Sequence, residues 1–482
     1  MNNGIIFGTD GWRALLDTEI NCQSVALVAQ AFANYLSPEI HAFKTQENKG
    51  KGIRVAVGFD GRRCSEEFAT AFSEVLSGNS ITAFLSDRIV PTPALSFFVK
   101  ANNLDAGVMI TASHNPPEYN GIKFKASYGG PFFTEETLKV EKLLGMQPVK
   151  KNRDNVVKTD IMETYFRQLE AYIDFEAIRH AGIRILVDSM AGAGKTYLEE
   201  ILKRNGCSAG TIFSAPSPEF LGRLPEPIEK NLEETKKYLK ENPGFSFGIA
   251  NDGDADRCGV LLEDGRYLSA QYTILLLNDY FVNMRKTKGH LVKTSSVTDK
   301  IKLFETVDRK VIDVQVGFKY ICEEMTCNDI AVGCEESGGF GYKGHIPERD
   351  GILSALIMAE MLAKSGYGTL SRYFEKKRLE FGSIYYDRID FRYENEDRTG
   401  ILPGLFSRPP KKITGFSVLN AKEFYSSRGI VNGLKFTLEG NSRWLLLRSS
   451  ETEPLVRIYA EANSTAEVEE ILKAGIGLLF NR

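Results

Sequence analysis

The amino-acid sequence predicts an α/β protein of three related α/β units followed by a smaller α+β domain. Apolar, β-rich runs alternate with amphipathic helical stretches through most of the 482 residues, which is typical of parallel sheets covered by helices. One opening, a buried strand running into a polar turn, occurs at 52–61, 182–192 and 289–299. Each opening is followed by a second strand that ends in an unusual loop, where open α/β sheets bind ligands.

Polar stretches and changes of pattern place the domain boundaries. The stretch 145–155 is typical of a linker, and a second change falls near 263–270. After residue 380, strand-like runs such as "RWLLLRS" and "LVRIYAEA" precede an amphipathic helix, which indicates a small α+β domain with a mainly antiparallel sheet. We predict domains over 1–148, 149–266, 267–378 and 379–482.

The composition excludes several classes of partner. The formal net charge of -3 gives no electrostatic reason to expect binding to nucleic acid or to an anionic membrane. Seven scattered cysteines without a Cys-x-x-Cys pair predict neither a disulfide framework nor a zinc site. No segment predicts a secretory signal or a membrane span. We therefore predict a reduced, cytoplasmic protein.

The loop "DGDADR" places three aspartates at alternate positions, Asp252, Asp254 and Asp256. Carboxylates this close repel one another unless a cation binds among them. Hard oxygen ligands favour Mg²⁺, which often takes a substrate phosphate oxygen as well. An EF-hand is not expected, because Arg257 stands where such a loop requires glycine. The alternative is an acidic surface turn.

The loop "TASHNPP" presents Ser113 directly behind an apolar run. It is not in a Gly-x-Ser-x-Gly elbow, so an acyl hydrolase is not predicted. Adjacent side chains in a loop do not generally face each other, so we expect no catalytic pair of Ser113 and His114. Pro116 and Pro117 stiffen the turn, and beside a magnesium site the hydroxyl suits carrying a phosphoryl group. By itself, Ser113 is better explained as a hydrogen-bonded loop serine.

Three further loops offer groups for binding an anion or a sugar. "RSSETEPLVR" combines arginines, hydroxyls and backbone N–H groups that suit a phosphate monoester, although its two glutamates oppose this and a salt-bridged hairpin is the alternative. "GCEESGG" offers carboxylates and a hydroxyl that suit vicinal sugar hydroxyls. "GTDGWRA" presents Arg13 in a glycine-bounded turn.

Together, "TASHNP", "DGDADR", "EESGG" and "RSSETEP" resemble, in their order, the motifs of the α-D-phosphohexomutases, the phosphoglucomutase/phosphomannomutase family. The resemblance covers essentially the whole chain. It implies four domains around a central cleft, three with mixed α/β sheets and one α+β. It also implies an enzyme that interconverts hexose 1-phosphate and hexose 6-phosphate through a phosphoserine and a hexose 1,6-bisphosphate. The implied cofactors are Mg²⁺ and glucose 1,6-bisphosphate, and the implied partner is a sugar phosphate, with no obligate protein partner evident.

The resemblance implies roles for the residues of these motifs. Ser113 would carry the phosphoryl group and complete a magnesium site formed by the three aspartates of "DGDADR". Lys123 would be the general acid and base, with a lowered pKa, supported by His114 and Arg13. Glu335 would hold sugar hydroxyls. The residues expected to bind substrate are Arg257, Lys319, Glu335, Ser337, Arg448, Ser450, Glu451, Thr452 and Arg457.

Two departures from the family pattern stand out. Glu451 occupies a place where relatives usually carry glycine or asparagine, and the sugar loop ends in "SGG" where many relatives have "SGH". His345 is a candidate substitute for that histidine, although an ordinary loop histidine explains it better.

The substrate and the class of activity leave alternatives open. We expect glucose phosphate first and mannose phosphate second, because the sugar loop is expected to contact O3 and O4 and not C2, where the two sugars differ. Phosphoglucosamine mutase and phosphopentomutase are the alternative activities. A magnesium-dependent phosphatase and a non-catalytic sugar-phosphate-binding protein are the alternatives of a different class.

Overall fold

The computed structural model describes residues 4–8, 10–37, 52–393, 400–426, 428–450 and 454–480. The chain divides into two compact units. The first comprises 1–270 with 337–373, and the second comprises 271–336 with 374–482.

The N-terminal part of the first unit contains a mixed sheet of six strands: β1 (Trp12–Leu15), β2 (Arg54–Phe59), β3 (Thr82–Ser86), β4 (Ala106–Ile110), β5 (Tyr119–Ala126) and β6 (Val156–Thr159). Their order is β1-β5-β4-β2-β3-β6, with β2 parallel to its neighbours and β5 antiparallel to both of its own. The accompanying helices are α1 (Cys22–Leu36), α2 (Ser65–Gly78), α3 (Thr92–Ala101) and α4 (Thr134–Lys142). Every residue of β4, "AGVMI", is buried, as expected for a strand covered on both faces.

The second sheet of this unit has five strands: β7 (Arg184–Asp188), β8 (Ser208–Ile212), β9 (Phe247–Asn251), β10 (Cys258–Leu262) and β11 (Tyr267–Leu268). Their order is β11-β10-β9-β7-β8. Strand β7 is parallel to both of its neighbours, and β10 is antiparallel to both of its own. Its helices are α5 (Met162–Tyr172), α6 (Phe175–His180), α7 (Tyr197–Arg204) and α8 (Glu233–Glu241). The buried strand β9 leads directly into the "DGDADR" loop.

The third segment of the chain contributes to both units. In the second unit lie α9 (Ala270–Asp279), β12 (His290–Thr294), β13 (Val311–Val314), α10 (Phe318–Cys327) and β14 (Ile330–Glu335), and β12 is parallel to β13 and β14. In the first unit lie β15 (Gly339–Tyr342) and α11 (Gly351–Ser365), before α12 (Leu370–Phe381). Helix α11 begins at an N-cap, because the Asp350 side chain accepts from the backbone N–H of Leu353.

The C-terminal segment is an α+β domain with an antiparallel sheet. Its strands are β16 (Tyr385–Arg392), β17 (Lys412–Ile413), β18 (Phe416–Tyr425), β19 (Val431–Leu438), β20 (Trp444–Ser449) and β21 (Leu455–Ala462), in the order β16-β21-β20-β19-β18-β17. The helices are α13 (Ile401–Ser407) and α14 (Thr465–Leu478). A core of alternating apolar side chains, including Leu445, Ile458 and Ile471, joins α14 to the sheet.

These sheets confirm the predicted fold class, three α/β units followed by an α+β domain. Each of the three repeated openings contains a parallel strand, namely β2, β7 and β12. The domain boundaries given above stay predictions. Among the described helices, none combines the length and the apolar character that a membrane span requires.

Candidate active site

Asp252, Asp254 and Asp256 come together at the carboxyl end of β9. All three are buried, and each offers a carboxylate oxygen within 4.8 Å of the others. Within the described part of the chain, Oδ1 of Asp254 and Oδ1 of Asp256 accept no hydrogen bond. A cluster of buried carboxylate oxygens, some of them without donors, fits a hard divalent cation such as Mg²⁺.

The electrostatics of the cluster support the same interpretation. Burial raises the pKa of Asp252 well above its usual range, and the carboxylates of Asp256 and Asp254 add to the effect. Burial acts in the same direction on Asp254, but the ammonium group of Lys123, a hydrogen bond from Thr92 and the cation of Arg349 together outweigh burial and lower the pKa of Asp254. Repulsion among the three carboxylates is relieved when a cation binds among them.

Ser113 follows β4 and reaches the aspartate cluster from the first sheet. Its buried Oγ donates a hydrogen bond to Oδ2 of Asp252 over 3.1 Å. Its φ is 55°, a left-handed conformation that few residues with a Cβ adopt. Oγ also lies 3.4 Å from Nδ1 of His114, so the expectation that these neighbours do not face each other is wrong. The left-handed turn at Ser113 brings the adjacent side chains to the same side of the loop.

Lys123 extends from β5 into the same cluster. Its Nζ donates to Oδ2 of Asp254 over 2.8 Å and to Oδ2 of Asp256 over 3.1 Å, and it lies 3.1 Å from Oδ2 of Asp10. Burial by itself would lower the pKa of Lys123, but the carboxylates of Asp10, Asp254 and Asp256 outweigh burial and raise it. The expectation of a lowered pKa is therefore wrong for this arrangement, since carboxylates surround the ammonium group more closely than cations do.

The other predicted cationic residues border the cluster. Arg13 donates from Nη1 to Oδ1 of Asn115 over 2.7 Å, and Nε of Arg257 lies 3.8 Å from Oδ1 of Asp256. Burial lowers the pKa of His114 well below its usual range, and the cations of Arg257 and Arg13 lower it further. His114 is therefore a neutral imidazole at neutral pH, able to accept a hydrogen bond but not to supply positive charge.

Three residues of the site were not predicted from the sequence. Arg349 donates from Nη2 to Oδ2 of Asp10 over 2.5 Å and lies 2.8 Å from Oδ2 of Asp256. Thr92, at the start of α3, donates from Oγ1 to Oδ2 of Asp254 over 2.5 Å. Asp10 lies within "GTDGWRA", and Arg349 follows His345 by four residues, so each lies close to a residue that the sequence analysis had named. Thr92 carried no signal.

His345 is buried in the first unit, close to Arg349 in the chain. Its Nε2 lies 2.9 Å from Oδ2 of Asp350, whose Oδ1 accepts from the hydroxyl of Tyr165 over 2.7 Å. The imidazole also stacks on Phe97, with ring centroids 5.4 Å apart. These contacts support the interpretation of His345 as a structural histidine that holds the loop carrying Arg349.

The remaining predicted substrate residues are distributed between the two units. Ser337 lies in the first unit, and the others described here lie in the second. Glu335 ends β14 and is buried, and Lys319, in the first turn of α10, places Nζ 5.0 Å from the ring centroid of Tyr320. Arg448 on β20 is the register partner of Arg457 on β21, so the two arginines occupy opposite positions on adjacent strands, with Ser450 just beyond β20. Glu451 and Thr452 lie outside the described residues.

Gly253 allows the aspartate loop to pack against the Ser113 loop. An ideal Cβ at Gly253 would lie 2.3 Å from the carbonyl oxygen of Ser113, which is closer than real Cβ contacts occur. We expect Gly253→Ala to lower the turnover number by about 100-fold, because the two loops must separate and the reacting groups are displaced. A steady-state rate measurement checks this. The control is Gly52→Ala, where a Cβ meets nothing within 4 Å. Unchanged turnover in Gly253→Ala would show that the contact is not needed.

Comparison with protein-family models places four matches along the chain, in order. The models describe the α/β/α domains I, II and III and the C-terminal domain of phosphoglucomutase/phosphomannomutase. They match residues 4–147, 163–265, 269–379 and 408–475.

Comparison with individual proteins gives similarity over the same length. A phosphoglucomutase/phosphomannomutase of Thermococcus kodakarensis is 30% identical, over 99% of this chain and 98% of the relative. A phosphoglucosamine mutase of Methanocaldococcus jannaschii is 31% identical, over 92% and 95%. A solved structure described as a putative phosphomannomutase, from Thermus thermophilus, superposes with a TM-score of 0.81 at 34% identity, covering 99% of both chains.

Proposed function

Since the chain belongs to the phosphoglucomutase/phosphomannomutase family, a family of isomerases, we propose that it interconverts hexose 1-phosphates and hexose 6-phosphates. The proposed substrates are glucose phosphate first and mannose phosphate second, with a hexose 1,6-bisphosphate as intermediate. The observation that carries this proposal is the Ser113 hydroxyl, which lies against three buried aspartates with Lys123 beside them.

Two phosphoryl transfers make up the proposed reaction. In the first, the bond from phosphorus to Oγ of phosphorylated Ser113 breaks, and a bond from phosphorus to the free hydroxyl oxygen of the sugar monophosphate forms. One proton leaves the sugar hydroxyl and one arrives at Oγ, so atoms and charge balance. The bisphosphate then reorients in the site. In the second transfer, the bond from its other phosphorus to the sugar oxygen breaks, a bond from that phosphorus to Oγ of Ser113 forms, and a proton leaves Oγ while one arrives at the sugar oxygen. Phosphoryl transfer needs mainly positioning and charge stabilisation, which this cluster supplies.

Each group around Ser113 has a proposed part in these steps. Asp252, Asp254 and Asp256, with an oxygen of phosphorylated Ser113, would hold Mg²⁺, which when bound offsets the negative charge of the phosphoryl oxygens. We assign to Lys123 the exchange of the proton with the sugar hydroxyl, because a cation bound by Asp254 and Asp256 would offset the carboxylate charge that otherwise raises the pKa of Lys123. The guanidinium groups of Arg13 and Arg257, and the neutral His114, would orient the phosphoryl group.

The substrate-binding residues stay a proposal based on the family pattern. Glu335 and Ser337 would hold sugar hydroxyls, and the loop after β20 would hold the phosphate that is not reacting. The members of that phosphate site would be Arg448, Ser450, Glu451, Thr452 and Arg457, and Lys319 would be available to a phosphate or to a sugar hydroxyl. The register that sets Arg448 on β20 opposite Arg457 on β21 supports this, because opposite residues of paired strands lie on the same face of the sheet and two arginines on one face suit an anion.

A relative named phosphoglucosamine mutase supports a second candidate activity. A coupled assay with Mg²⁺ and a trace of glucose 1,6-bisphosphate tests both, by comparing the 1-phosphates of glucose, mannose and glucosamine, and ribose 1-phosphate with a 5-phosphate readout. We expect the fastest turnover with glucose 1-phosphate. Preference for glucosamine 1-phosphate would overturn the order of substrates. Release of free phosphate without isomerised sugar would indicate a phosphatase, and binding without turnover a non-catalytic protein.

A further inference from the structure

Arg62 follows β2 and extends its side chain beneath the loop that carries Ser113. The guanidinium group is buried, and its hydrogen-bond acceptors among the described residues are main-chain oxygens of that loop. The acceptors are the carbonyl oxygens of Ser113 at 2.7 Å, Asn115 at 2.6 Å, Pro116 at 2.8 Å and Tyr119 at 3.0 Å. One planar side chain therefore binds both ends and the middle of the loop.

The guanidinium group is itself held from two other sides. Nε of Arg62 lies 3.3 Å from Oδ2 of Asp60, a buried carboxylate whose Oδ1 accepts from the backbone N–H of Arg62 and from the hydroxyl of Ser65. The ring of Phe220, in the segment between β8 and α8, covers the guanidinium group, which lies 4.8 Å from the ring centroid. These contacts leave Arg62 little freedom to release the loop.

The loop needs such support because Ser113 has a strained backbone. A φ of 55° is sparsely populated for a residue with a Cβ, and it persists only where the surroundings maintain it. The carbonyl oxygen of Ser113 is bound by Arg62 and packed against Gly253 of the aspartate loop. The same conformation directs Oγ toward Asp252.

We propose that Arg62 is a positioning residue for the phosphoryl transfer. By binding four carbonyl oxygens of residues 113–119, it maintains the left-handed conformation of Ser113 and keeps Oγ at the metal-binding aspartates. It touches neither the substrate nor the reacting atoms. This inference rests on the proposed function, because it assigns to Ser113 the transfer of the phosphoryl group.

Arginine suits this role better than lysine does. A guanidinium group presents five N–H donors in a fixed plane, whereas an ammonium group presents three donors around one point. Lysine at position 62 would keep the charge beside Asp60 but could not reach all four carbonyl oxygens. The geometry of the side chain, and not its charge, therefore carries the proposed effect.

The test compares Arg62→Lys and Arg62→Ala with Arg63→Ala. Arg63 is the adjacent residue, and its exposed side chain pairs with Asp17 and not with the loop. We expect Arg62→Lys and Arg62→Ala to lower the turnover number by about 100-fold or more, with the Michaelis constant changed less than about threefold. Guanidinium ion at a low, non-denaturing concentration should partly restore Arg62→Ala, and urea at the same concentration should not. Arg63→Ala should keep wild-type kinetics.

A second measurement of the effect of Arg62 on the loop does not depend on catalytic activity. Hydrogen exchange followed by mass spectrometry should show faster exchange of the peptide 111–120 in Arg62→Lys than in the wild type, with peptides of the second sheet unchanged. Wild-type turnover or wild-type exchange in a folded Arg62→Lys protein would overturn the proposal. If Arg62→Ala does not fold, the kinetics and the hydrogen exchange of Arg62→Lys alone test the proposal. An inactive wild type would instead refute the proposed function, and the exchange experiment would still report on the loop.

Discussion

Replacing Ser113 with alanine is expected to lower turnover by at least about 10⁴-fold, the loss typical of removing a nucleophile. The substitution deletes one oxygen atom, whose hydrogen bond runs to Oδ2 of Asp252. Two hydroxyls beside the site are already engaged, because Thr92 donates to Asp254 and Oγ1 of Thr111 accepts from the backbone N–H of residue 113. The fold should be preserved, since alanine fits the same space.

Two measurements check this expectation. The first is the rate of the coupled assay with glucose 1-phosphate, and the second is the intact mass after incubation with glucose 1,6-bisphosphate. The wild type should gain one phosphoryl group and Ser113→Ala none. The matched control is Ser73→Ala, which removes a buried hydroxyl that donates to the carbonyl of Ala69 within α2, away from the site. Full activity in Ser113→Ala would end the assignment of the phosphoserine.

Asparagine in place of Asp254 is expected to reduce the magnesium-supported rate by about 10³-fold, because several kcal/mol of charge stabilisation depend on the cation. Oδ2 of Asp254 accepts from both Lys123 and Thr92, so the amide oxygen of asparagine would remain on that side. The NH₂ group would then occupy the position of Oδ1, the oxygen to which no donor among the described residues is directed. A donor at that position opposes a bound cation.

The rate measured against Mg²⁺ concentration tests this prediction, together with a binding readout that does not depend on activity. A cation that binds only the folded protein raises its melting temperature, so Mg²⁺ should raise Tm in the wild type and not in Asp254→Asn. The control is Asp264→Asn, which changes an exposed aspartate paired with Arg266 in a turn of the same sheet. A normal Mg²⁺ dependence in Asp254→Asn would show that the aspartate cluster is not the metal site.

Features that are local in the chain could be predicted from the sequence. The alternation of apolar runs and helices indicated the α/β units, and the "TASHNP" and "DGDADR" loops were placed correctly at the ends of buried strands. Such signals survive in a single sequence because strand burial and turn chemistry involve residues close together in the chain. The acidic cluster is of this kind, since its three aspartates span five residues.

Contacts between distant parts of the chain were decided only by the tertiary structure. Arg349 binds Asp10, which is 339 residues away in the sequence, and Arg62 binds carbonyl oxygens of the Ser113 loop, which is more than 50 residues away. Neither pairing leaves a local pattern in the sequence. The direction of the pKa shift of Lys123 depended on how many carboxylates lie near its Nζ, which burial and residue type do not reveal. The sequence by itself indicated Ser113, Lys123 and the three aspartates of the "DGDADR" loop, but it did not indicate Arg349, Thr92 or Asp10. Packing determined which charges face one another, because Coulomb interactions and hydrogen bonds depend on distances that only the folded chain sets.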